Sequence, residues 1–554
     1  MKKHLNLGLT EYINLKKNNW KIKVNGQGTP VNDIVKKFWL SRGIDNPEIF
    51  LNPVGNILPS TLLSNIETAA NVFCNHIENN SKFLIYADVD ADGCSSAAIL
   101  YHYLTAHQRE CEVYINDKKQ HGVREEFFEK DHGEQCVVVV DSINNDVELY
   151  ERIKQQSKDL IILDHHIPTD IILDCAASLN LVSSAIDYAN PHLSGSGVTW
   201  KFVNYIDHLY GTNYAEDLID LAAVGIVADV CSVGPDSMEN REICDKGFKH
   251  VVNNGIKAVI NTDEMNSELI SFSIAPLINA ANRMNKNQLA LSLFLCDNIT
   301  EAKKIVKELT KVKEEQKKLA NDLFLNFTEM VEPQKDNLCY YFLIDESYGT
   351  LGGLLATRAS DKWKRPCIVV HDTAEGYAGS MRATGVSDFR TIVNASGLAD
   401  CQGHENSAGI VINKETFEQF KSYIETELAN LKEFSTDTEI DIRVERMQIT
   451  PFLISNIRQI NRISGSGFPA VTFLIEDIKN YVVKKMSQGK HLCVEVPDMK
   501  FLSWNFNDWD NVIEEGSMSA VGTIDESFFA GRRSIQMMLS DYVFELQPQK
   551  FNLW

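Results

Sequence analysis

The stretch FLIYADVDADG, residues 83–93, joins an apolar run to a cluster of acids. Its first five residues are apolar, and Asp88, Asp90 and Asp92 follow at alternating positions. An uninterrupted apolar run bounded by polar residues predicts a strand that is buried on both faces, as in a parallel sheet. The ligands of such sheets bind beyond the carboxyl ends of the strands. The three aspartates are therefore candidates for a functional site.

The same pattern recurs further along the chain. The run CVVVVD ends on Asp141, and the run LIILDHH ends on Asp164, His165 and His166. The segment SSAAILYHYLTAH, which follows the first run, has apolar residues at helical spacing, and a fourth, largely apolar segment reaches Asp229. Strands that alternate with helices predict an α/β domain with a parallel sheet. The carboxyl edge of that sheet is expected to carry these polar side chains.

A calcium-binding EF-hand loop is one alternative explanation of the alternating acids. Such a loop needs a glutamate at its twelfth position, and counting from Asp88 that position is Ile99, which excludes this reading. A solvated turn is another alternative. It would gather three like charges at the end of a buried strand, where they repel one another. A divalent cation removes that cost.

The acids and histidines come from four separate segments. Asp141, His165 and Asp229 add to the first three aspartates, which gives an oxygen-rich ligand set with one or two imidazoles. Such ligands suit Mn²⁺ or Mg²⁺ better than structural zinc. Two such ions a few ångströms apart clamp a phosphoryl oxygen and activate a water. The sequence therefore predicts a site for two divalent ions.

Changes of pattern along the 554 residues predict several domains. A lysine-rich helical stretch follows the first α/β unit and stops at Glu332–Pro333. A second α/β unit comes next, with glycine-rich turns between its strands, and then short strands without long helices indicate a small β-barrel. The predicted boundaries are 1–50 for an irregular N-terminal lead-in, 51–284 for the first α/β domain, 285–335 for a connecting helix, 336–432 for the smaller α/β domain, 437–545 for the barrel and 546–554 for a tail.

The composition narrows the possible classes of protein. The formal net charge of −22 argues against a passive nucleic-acid coat, which would be basic, but it allows an enzyme with a local basic groove. Twelve cysteines include no Cys-x-x-Cys pair, so free thiols in a reducing cytoplasm are expected. No apolar run is long enough to span a bilayer, and the first residues lack the pattern of a secretory signal. A cytoplasmic protein without a membrane partner is expected.

These motifs occur together, and in this order, in a known superfamily. DVDADG, the lone Asp141, DHH and LAAVGIVADV resemble the four motifs of the DHH phosphoesterases. GTLGGLLATR, GSMRA and CQGHENSAG are similar to the DHH-associated domain, and INRISGSGFPAVTF with HLCVEV resembles the oligonucleotide-binding (OB) fold of RecJ-type exonucleases. The resemblance covers roughly residues 80–540. It implies a parallel-sheet DHH domain, a long helix, a smaller α/β DHH-associated domain and a C-terminal OB-type barrel.

The resemblance also implies roles for individual residues. The ligands that it implies for two Mn²⁺ or Mg²⁺ ions are Asp88 and Asp90 for the first, Asp92, His165 and Asp229 for the second, and Asp141 as a bridge. Asp164 would orient a histidine through its ring N–H. His166 would contact the scissile phosphate or the attacking water.

Further matches imply a grip on the phosphates of a nucleic-acid strand. The residues are Lys118, Arg283, Ser380, Arg382, Gly403 and His404. Arginine suits this role because its planar fork donates two hydrogen bonds to one phosphate. Lys118 is a departure, since the family usually has an arginine there, in a loop that helps to read the 5′ end. The sequence therefore does not determine which strand end the protein prefers.

The predicted barrel contains aromatic residues that could hold bases. Single-strand-binding barrels stack bases on aromatic side chains and follow the backbone with cations. Trp504 and Phe506 are the candidates for stacking, and Phe501 and Trp509 belong to the same stretch. Because alternate residues of a strand face the core, about half of these aromatic residues are expected to be structural.

The resemblance implies a metal-dependent exonuclease that hydrolyses single-stranded DNA in the 5′→3′ direction during recombination, repair or replication. A single-strand-binding protein or a helicase is the expected protein partner. One alternative is a DHH phosphodiesterase that acts on short oligonucleotides or cyclic dinucleotides, although such relatives generally lack the terminal barrel. The other alternative is a non-catalytic replication scaffold, against which the intact metal-binding acids argue.

Overall fold

The computed structural model describes residues 11–15, 18–116, 133–142, 151, 155–156, 158–168, 180–374, 376–431, 438–504, 506, 508–529 and 532–546. The strands are β1 Glu11–Leu15, β2 Asn18–Asn25, β3 Phe83–Ala87, β4 Cys111–Ile115, β5 Cys136–Val140, β6 Asp159–Asp164, β7 Asn180–Ser183, β8 Tyr340–Ile344, β9 Cys367–Thr373, β10 Gly376–Arg382, β11 Ala399–His404, β12 Ser407–Ile412, β13 Thr438–Arg443, β14 Phe473–Ile478, β15 Val482–Met486, β16 His491–Val496, β17 Met499–Ser503, β18 Gly516–Phe529 and β19 Arg532–Leu546.

The described α-helices are concentrated between β7 and β8. They are α1 Val31–Ser41, α2 Pro47–Leu51, α3 Ile66–Glu78, α4 Ala91–Ala106, α5 Gly195–Tyr210, α6 Ile219–Ala228, α7 Met238–Lys249, α8 Asn254–Ile260, α9 Ser267–Leu269, α10 Ala275–Arg283, α11 Asn287–Leu295, α12 Ile299–Val331, α13 Gly352–Trp363, α14 Phe389–Ala395, α15 Phe417–Asn430 and α16 Pro451–Asn461. None of these helices combines the length and the apolar content that crossing a bilayer requires.

The first sheet is the predicted parallel sheet. Its strand order is β4-β3-β5-β6-β7, and every neighbouring pair is parallel. β3 and β5 are buried along their whole length, which explains why no polar residue interrupts either run. The core around the sheet draws on helices α3 to α8, α10 and α11. The carboxyl ends of β3, β5 and β6 meet at one edge of the sheet.

The predicted connecting helix is divided into α11 and α12. The break falls just before Asn298, whose side chain accepts hydrogen bonds from the N–H groups of Thr300 and Glu301 and so caps α12. Helix α12 contributes Leu309 to the core of the first domain and Phe327 to a core beside the second sheet. It therefore joins the two α/β domains, and it ends at Val331.

The second sheet has the order β11-β12-β10-β9-β8, with only the β8–β9 pair parallel. The strands expected from the apolar runs are β8, β9 and β12. The glycine-rich segments between them were predicted to be turns, and this is wrong for β10 and β11. Gly379 and Gly403 pair with antiparallel neighbours in the sheet, which local composition does not reveal.

The third sheet contains the strands of the predicted barrel region. Its order is β1-β2-β13-β14-β18-β19-β17-β16-β15, so it also contains two strands from the N-terminus. The prediction of an irregular lead-in is therefore wrong. Trp20, Ile22 and Val24 are buried and alternate with two lysines, the period-two pattern of a half-buried strand. β2 pairs in parallel with β13, a contact between distant parts of the chain.

Candidate metal centre

Three overlapping groups of acids and histidines lie at the carboxyl edge of the first sheet. Their ligand atoms lie within 4.8 Å of one another in each group, and the groups are Asp88 with Asp90 and Asp141; Asp141 with Asp164, His165 and His166; and His165 with Asp229 and Cys231. His165 Nε2 lies 3.2 Å from Asp141 Oδ1 and 3.6 Å from Asp229 Oδ2. Asp141 and His165 therefore connect the groups into one centre, as the four segments predicted.

Local backbone geometry aims these acids at one another. Asp90 is the N-cap of α4, and its Oδ1 accepts hydrogen bonds from the N–H groups of Asp92 and Gly93 at 2.9 and 3.0 Å. Asp141 follows β5 in the left-handed conformation, with φ 56°. Aspartate tolerates this conformation better than most residues do. The turn after β5 thus directs its carboxylate back over the sheet edge.

Asp92 is held by the backbone of a neighbouring helix. Its two carboxylate oxygens accept hydrogen bonds from Gly195 N at 2.7 Å and from Ser196 N at 3.0 Å, at the start of α5. Its Oδ2 also lies 4.0 Å from His165 Nε2, although Asp92 belongs to none of the three groups of ligand atoms found among the described residues. The hydrogen bonds fix the carboxylate at the N-terminus of α5, and its role as an ion ligand stays a prediction.

Two glycines allow this close packing. A Cβ on Gly195 would lie 2.6 Å from Asp141 Oδ1. A Cβ on Gly225 would lie 1.9 Å from both Asp92 Oδ1 and Ser196 Oγ. Helices α5 and α6 can therefore approach the acids only without side chains at these positions.

Asp164 holds His166. Its Oδ1 accepts hydrogen bonds from the backbone N–H of His165 and of His166, and it lies 2.8 Å from His166 Nδ1. Burial lowers the pKa of His166, but the hydrogen bond and the charge of Asp164 outweigh it, and the pKa rises to about 9. The predicted orienting role of Asp164 therefore has a geometric basis, and the ring that it holds is that of His166.

The centre concentrates negative charge in a buried place. Burial raises the pKa of Asp141 well above its usual range, and neighbouring aspartates raise it further. Burial and Asp92 raise the pKa of Asp229 to about 7, against a lowering by His165. Oδ1 of Asp141 is buried and has no hydrogen-bond partner within the part of the chain that is described. Divalent cations would pair with these oxygens and reverse the shifts, so the residues fit such ions.

A group of arginines is contributed by both α/β domains. Burial lowers the pKa of Arg283, and the charges of Arg382 and Arg358 lower it further, which shows that the three guanidinium groups are neighbours. Helix α13 begins beside them: a Cβ on Gly353 would lie 3.2 Å from Arg382 Nη2 and 3.5 Å from Ser380 Oγ. A helix N-terminus, a hydroxyl and arginines together form a surface that suits a phosphate.

Hydrogen bonds connect the helices beside Arg283 to both α/β domains. Asn287 Nδ2 of α11 donates to the carbonyl of Asn116 at 2.6 Å, directly after β4, the neighbour of β3. Arg283 is the last residue of the preceding helix, α10, and Thr350 Oγ1 of the second domain donates to its carbonyl at 2.8 Å. Arg283 therefore lies where the two domains meet, near Arg382 and Ser380, and the phosphate-binding role of these three residues stays a prediction.

The other predicted phosphate contacts are Lys118, Gly403 and His404. Lys118 lies outside the described residues. Gly403 and His404 are exposed at the end of β11, where His404 pairs with Ser407 across the hairpin to β12. The Arg390 side chain donates to the carbonyl of Gly403. The role of these residues stays a prediction.

The two predicted stacking residues differ in exposure. The Trp504 side chain is 53% exposed, and its ring meets His491 edge to face at 4.8 Å. Phe506 is only 4% exposed and packs against Trp509 and Tyr542, so its prediction as a stacking residue is wrong. Phe501 is fully buried as well. Phe501 lies in β17 and faces the core, whereas Phe506 follows the end of that strand and packs against the rings of Trp509 and Tyr542.

Comparison with known proteins agrees with this architecture. The sequence profile described as "DHH family, N-terminal domain" matches residues 82–226, and the profile described as "RecJ OB domain" matches residues 440–541. The chain has a DHH-family domain and a RecJ OB domain. The resemblance to RecJ-type members of the DHH superfamily, predicted from the motifs, is thereby confirmed.

Individual relatives extend the match over most of the chain. The single-stranded-DNA-specific exonuclease RecJ of Bacillus subtilis is 25% identical over 558 residues, which cover 94% of this chain and 69% of the relative. The crystal structure of Thermus thermophilus RecJ with Mn²⁺ has a TM-score of 0.76 at 21% identity, covering 94% of this chain and 79% of that chain. The same protein with Mg²⁺ has a TM-score of 0.69 at 20% identity, covering 95% and 78%. These structures confirm the predicted fold class.

Sequence reasoning missed two features of this centre. Cys231 lies among the metal-ligating side chains, although its position two residues after Asp229 was visible in the sequence. The pairing of Asp92 with the N-terminus of α5 was also missed. It depends on a contact between residues 103 positions apart, and no local pattern reveals such a contact.

Proposed function

We propose that this protein is an exonuclease that uses two divalent ions to hydrolyse single-stranded DNA in the 5′→3′ direction. The position of Asp141 carries the proposal: it is shared by the Asp88–Asp90 group and by the histidine group, and its buried Oδ1 has no hydrogen-bond partner among the described residues. A shared carboxylate is the arrangement that holds two ions side by side. The name of the B. subtilis relative supports the substrate, and the ions in the T. thermophilus structures support Mn²⁺ or Mg²⁺.

The described residues supply two ion positions. Asp88 and Asp90 would hold one ion, His165 and Asp229 the other, and Asp141 would contact both. When bound, two such ions neutralise the charge of a scissile phosphate and make an attacking water more acidic. Asp92, whose Oδ2 lies 4.0 Å from His165 Nε2, would join the second ion with its carboxylate fixed by the backbone of α5.

His166 would act on the substrate. Asp164 engages its Nδ1, which leaves Nε2 for a phosphate oxygen or for the attacking water. The ring is half exposed, so a strand can reach it. Because Asp164 fixes both the backbone and the ring, the histidine is oriented before the substrate arrives.

Arg283, Ser380 and Arg382 would hold a phosphate next to the bond that is cut. Arg283 comes from the first domain, and Ser380 and Arg382 come from the second, so a strand that contacts all three lies between the domains. A duplex is wider than a single strand, and this geometry favours single strands. The OB domain would then guide the remainder of the strand.

Digestion of labelled single strands tests the proposal. With Mn²⁺, we expect a 5′-labelled strand to release its label as mononucleotide in the first turnovers, whereas a 3′-labelled strand shortens progressively. Blunt duplex DNA of the same sequence should be cut slowly. Strands with and without a 5′ phosphate, tested in parallel, measure the contribution of the phosphate grip.

Three outcomes would contradict the proposal. Release of the 3′ label first would reverse the proposed direction. Absence of digestion with either ion would favour a binding protein, and rapid cleavage restricted to dinucleotides would favour a phosphodiesterase of short substrates.

Trp504→Ala is expected to weaken the binding of single-stranded DNA. Stacking of a base on an exposed aromatic ring contributes about 1–3 kcal/mol, so the Kd should rise roughly 5- to 150-fold. Fluorescence anisotropy with a labelled oligonucleotide in EDTA measures binding without hydrolysis. Phe452→Ala is the matched control, because Phe452 is an equally exposed aromatic residue on α16 (54% against 53%). A Trp504 variant that binds as tightly as this control would contradict the prediction.

A further inference from the structure

A thiol lies beside the second ion position. Cys231 follows the end of α6 by three residues, and its Sγ donates to Asp229 Oδ2 at 3.4 Å. Its sulfur, His165 and Asp229 each offer one ligand atom within 4.8 Å of the others. The position therefore has a nitrogen, an oxygen and a sulfur donor, unlike the neighbouring Asp88–Asp90 position, which has oxygen donors only.

Two of the three donor–donor distances fit a tetrahedral ion. Zinc binds sulfur at about 2.3 Å and nitrogen or oxygen at about 2.0–2.2 Å, so neighbouring donors on a tetrahedron lie about 3.4–3.6 Å apart. The distance from Cys231 Sγ to Asp229 Oδ2 is 3.4 Å, and the distance from His165 Nε2 to Asp229 Oδ2 is 3.6 Å. Little movement is needed for these donors to share one ion.

A buried carboxylate oxygen lies beside this position. Asp141 Oδ1 is 3.2 Å from His165 Nε2, and it is a buried oxygen without a hydrogen-bond partner in the described residues. An unpaired buried carboxylate oxygen is costly unless a cation occupies the space beside it. Asp141 belongs to the neighbouring groups that include His165 or Asp88, and its oxygen favours a cation next to the His165 imidazole.

We infer that the position formed by His165, Asp229 and Cys231 takes a thiolate-preferring divalent cation, Zn²⁺ or Cd²⁺, in preference to Mn²⁺ or Mg²⁺. Soft sulfur donors select such ions, whereas oxygen donors suit Mn²⁺ and Mg²⁺. As the ion–sulfur bond forms, the thiol proton passes to the solvent. The inference deepens the proposed function and rests on it, because it assigns different ions to the two positions of one centre.

The alternative is that Cys231 only fills space. A cysteine with a weak S–H donor to a neighbouring carboxylate packs like a small apolar residue. The two interpretations differ in one observable, which is whether a bound ion acquires a sulfur ligand.

Titration with Cd²⁺ alone tests for that ligand. The full-length protein, stripped with EDTA and reduced, should develop the ultraviolet charge-transfer band of a cadmium–thiolate bond, saturating at one equivalent. Cys231→Ser should abolish the band. Cys296→Ser is the matched control, since Cys296 is also partly exposed but lies outside the three ligand groups, and it should retain the band. A band that persists in Cys231→Ser, or the absence of any band from the wild type, overturns the inference.

A second measurement needs no variant. X-ray absorption at the zinc edge, on wild-type protein loaded with one equivalent of Zn²⁺, should show one sulfur neighbour at about 2.3 Å. A shell of nitrogen and oxygen only would overturn the inference even if Cys231→Ser failed to fold. In competition titrations, Cys231→Ser should weaken the binding of Zn²⁺ at least about 10-fold more than it weakens the binding of Mn²⁺. An equal loss of affinity for both ions would count against the inference.

These readouts separate the inference from the proposed function. A protein that digests single-stranded DNA with Mn²⁺ but binds Zn²⁺ without sulfur would overturn the ion assignment alone. A protein that binds Cd²⁺ through Cys231 but hydrolyses no nucleic acid would overturn the exonuclease alone.

Discussion

Asp141→Asn is expected to lower hydrolysis at least about 1,000-fold and, at the same time, to raise the thermal stability of the metal-free protein. The loss of activity follows from the shared position of this carboxylate between the two ion sites. The gain in stability follows from burial, which raises the pKa of Asp141 well above its usual range, helped by the surrounding aspartates. Asparagine keeps the shape, tolerates the left-handed backbone and carries no charge.

The sign of the pH dependence follows from the same shift. The folded protein holds the Asp141 proton more tightly than the unfolded chain does, so the stability of the metal-free wild type falls as the pH rises between the unfolded and the folded pKa. The Asn variant lacks this contribution. Its advantage in melting temperature over the wild type should therefore grow as the pH is raised from the acidic range towards neutrality.

Thermal melts in EDTA and in Mn²⁺, together with a nuclease assay, measure these effects. Mn²⁺ should raise the melting temperature of the wild type and should raise that of Asp141→Asn much less. Asp207→Asn is the matched control, because Asp207 is equally buried but accepts hydrogen bonds from Ala215 N and Tyr103 Oη, away from the ion positions. It should be less stable in both buffers and keep its response to Mn²⁺. An Asp141 variant that is destabilised in EDTA would refute the proposed charge repulsion.

Much of the centre could be predicted because the acids directly follow strands. In a parallel sheet the carboxyl ends of neighbouring strands meet, so Asp88, Asp141 and Asp164 had to lie close together once the apolar runs were recognised as strands. The continuous runs of β3 and β5 are a strong signal, since burial on both faces leaves no room for polar residues.

The features that sequence alone did not predict depend on distant contacts. Trp20, Ile22 and Val24 alternate as a strand should, but the partner of their strand is β13, more than 400 residues away, so local reasoning found no sheet for it to join. The hydrogen bonds from α5 to the carboxylate of Asp92 were also not predicted, because they join residues 103 and 104 positions apart. Tertiary contacts decided both cases.

A buried arginine connects the metal centre to the OB domain. Arg241 is 1% exposed, and its guanidinium donates to the carbonyls of Phe50, Val233 and Ile463 at 2.7, 3.0 and 3.0 Å. These carbonyls belong to α2, to the segment after Asp229 and to the segment after α16. The backbone N–H of Val233 also donates to Ser466 of that last segment, at 2.9 Å. One side chain thus fixes the loop behind the second ion position against the OB domain.

Arg241→Met is expected to destabilise the protein by about 3 kcal/mol or more, because it leaves three buried carbonyls unpaired at roughly 1–3 kcal/mol each, less the relief of removing a buried charge. The displaced loop should also lower kcat about 10- to 100-fold. Arg241→Lys should recover little of either loss, since a lysine lacks the planar fork that reaches three acceptors. Urea unfolding followed by tryptophan fluorescence, and limited proteolysis for early release of the OB domain, measure the effect.

Arg458→Met is the matched control: Arg458 pairs with Asp525 and Glu526 at the surface, where such contacts contribute at most about 1 kcal/mol. If Arg241→Lys were as stable and as active as the wild type, the charge of Arg241 rather than its three hydrogen bonds would join the two domains.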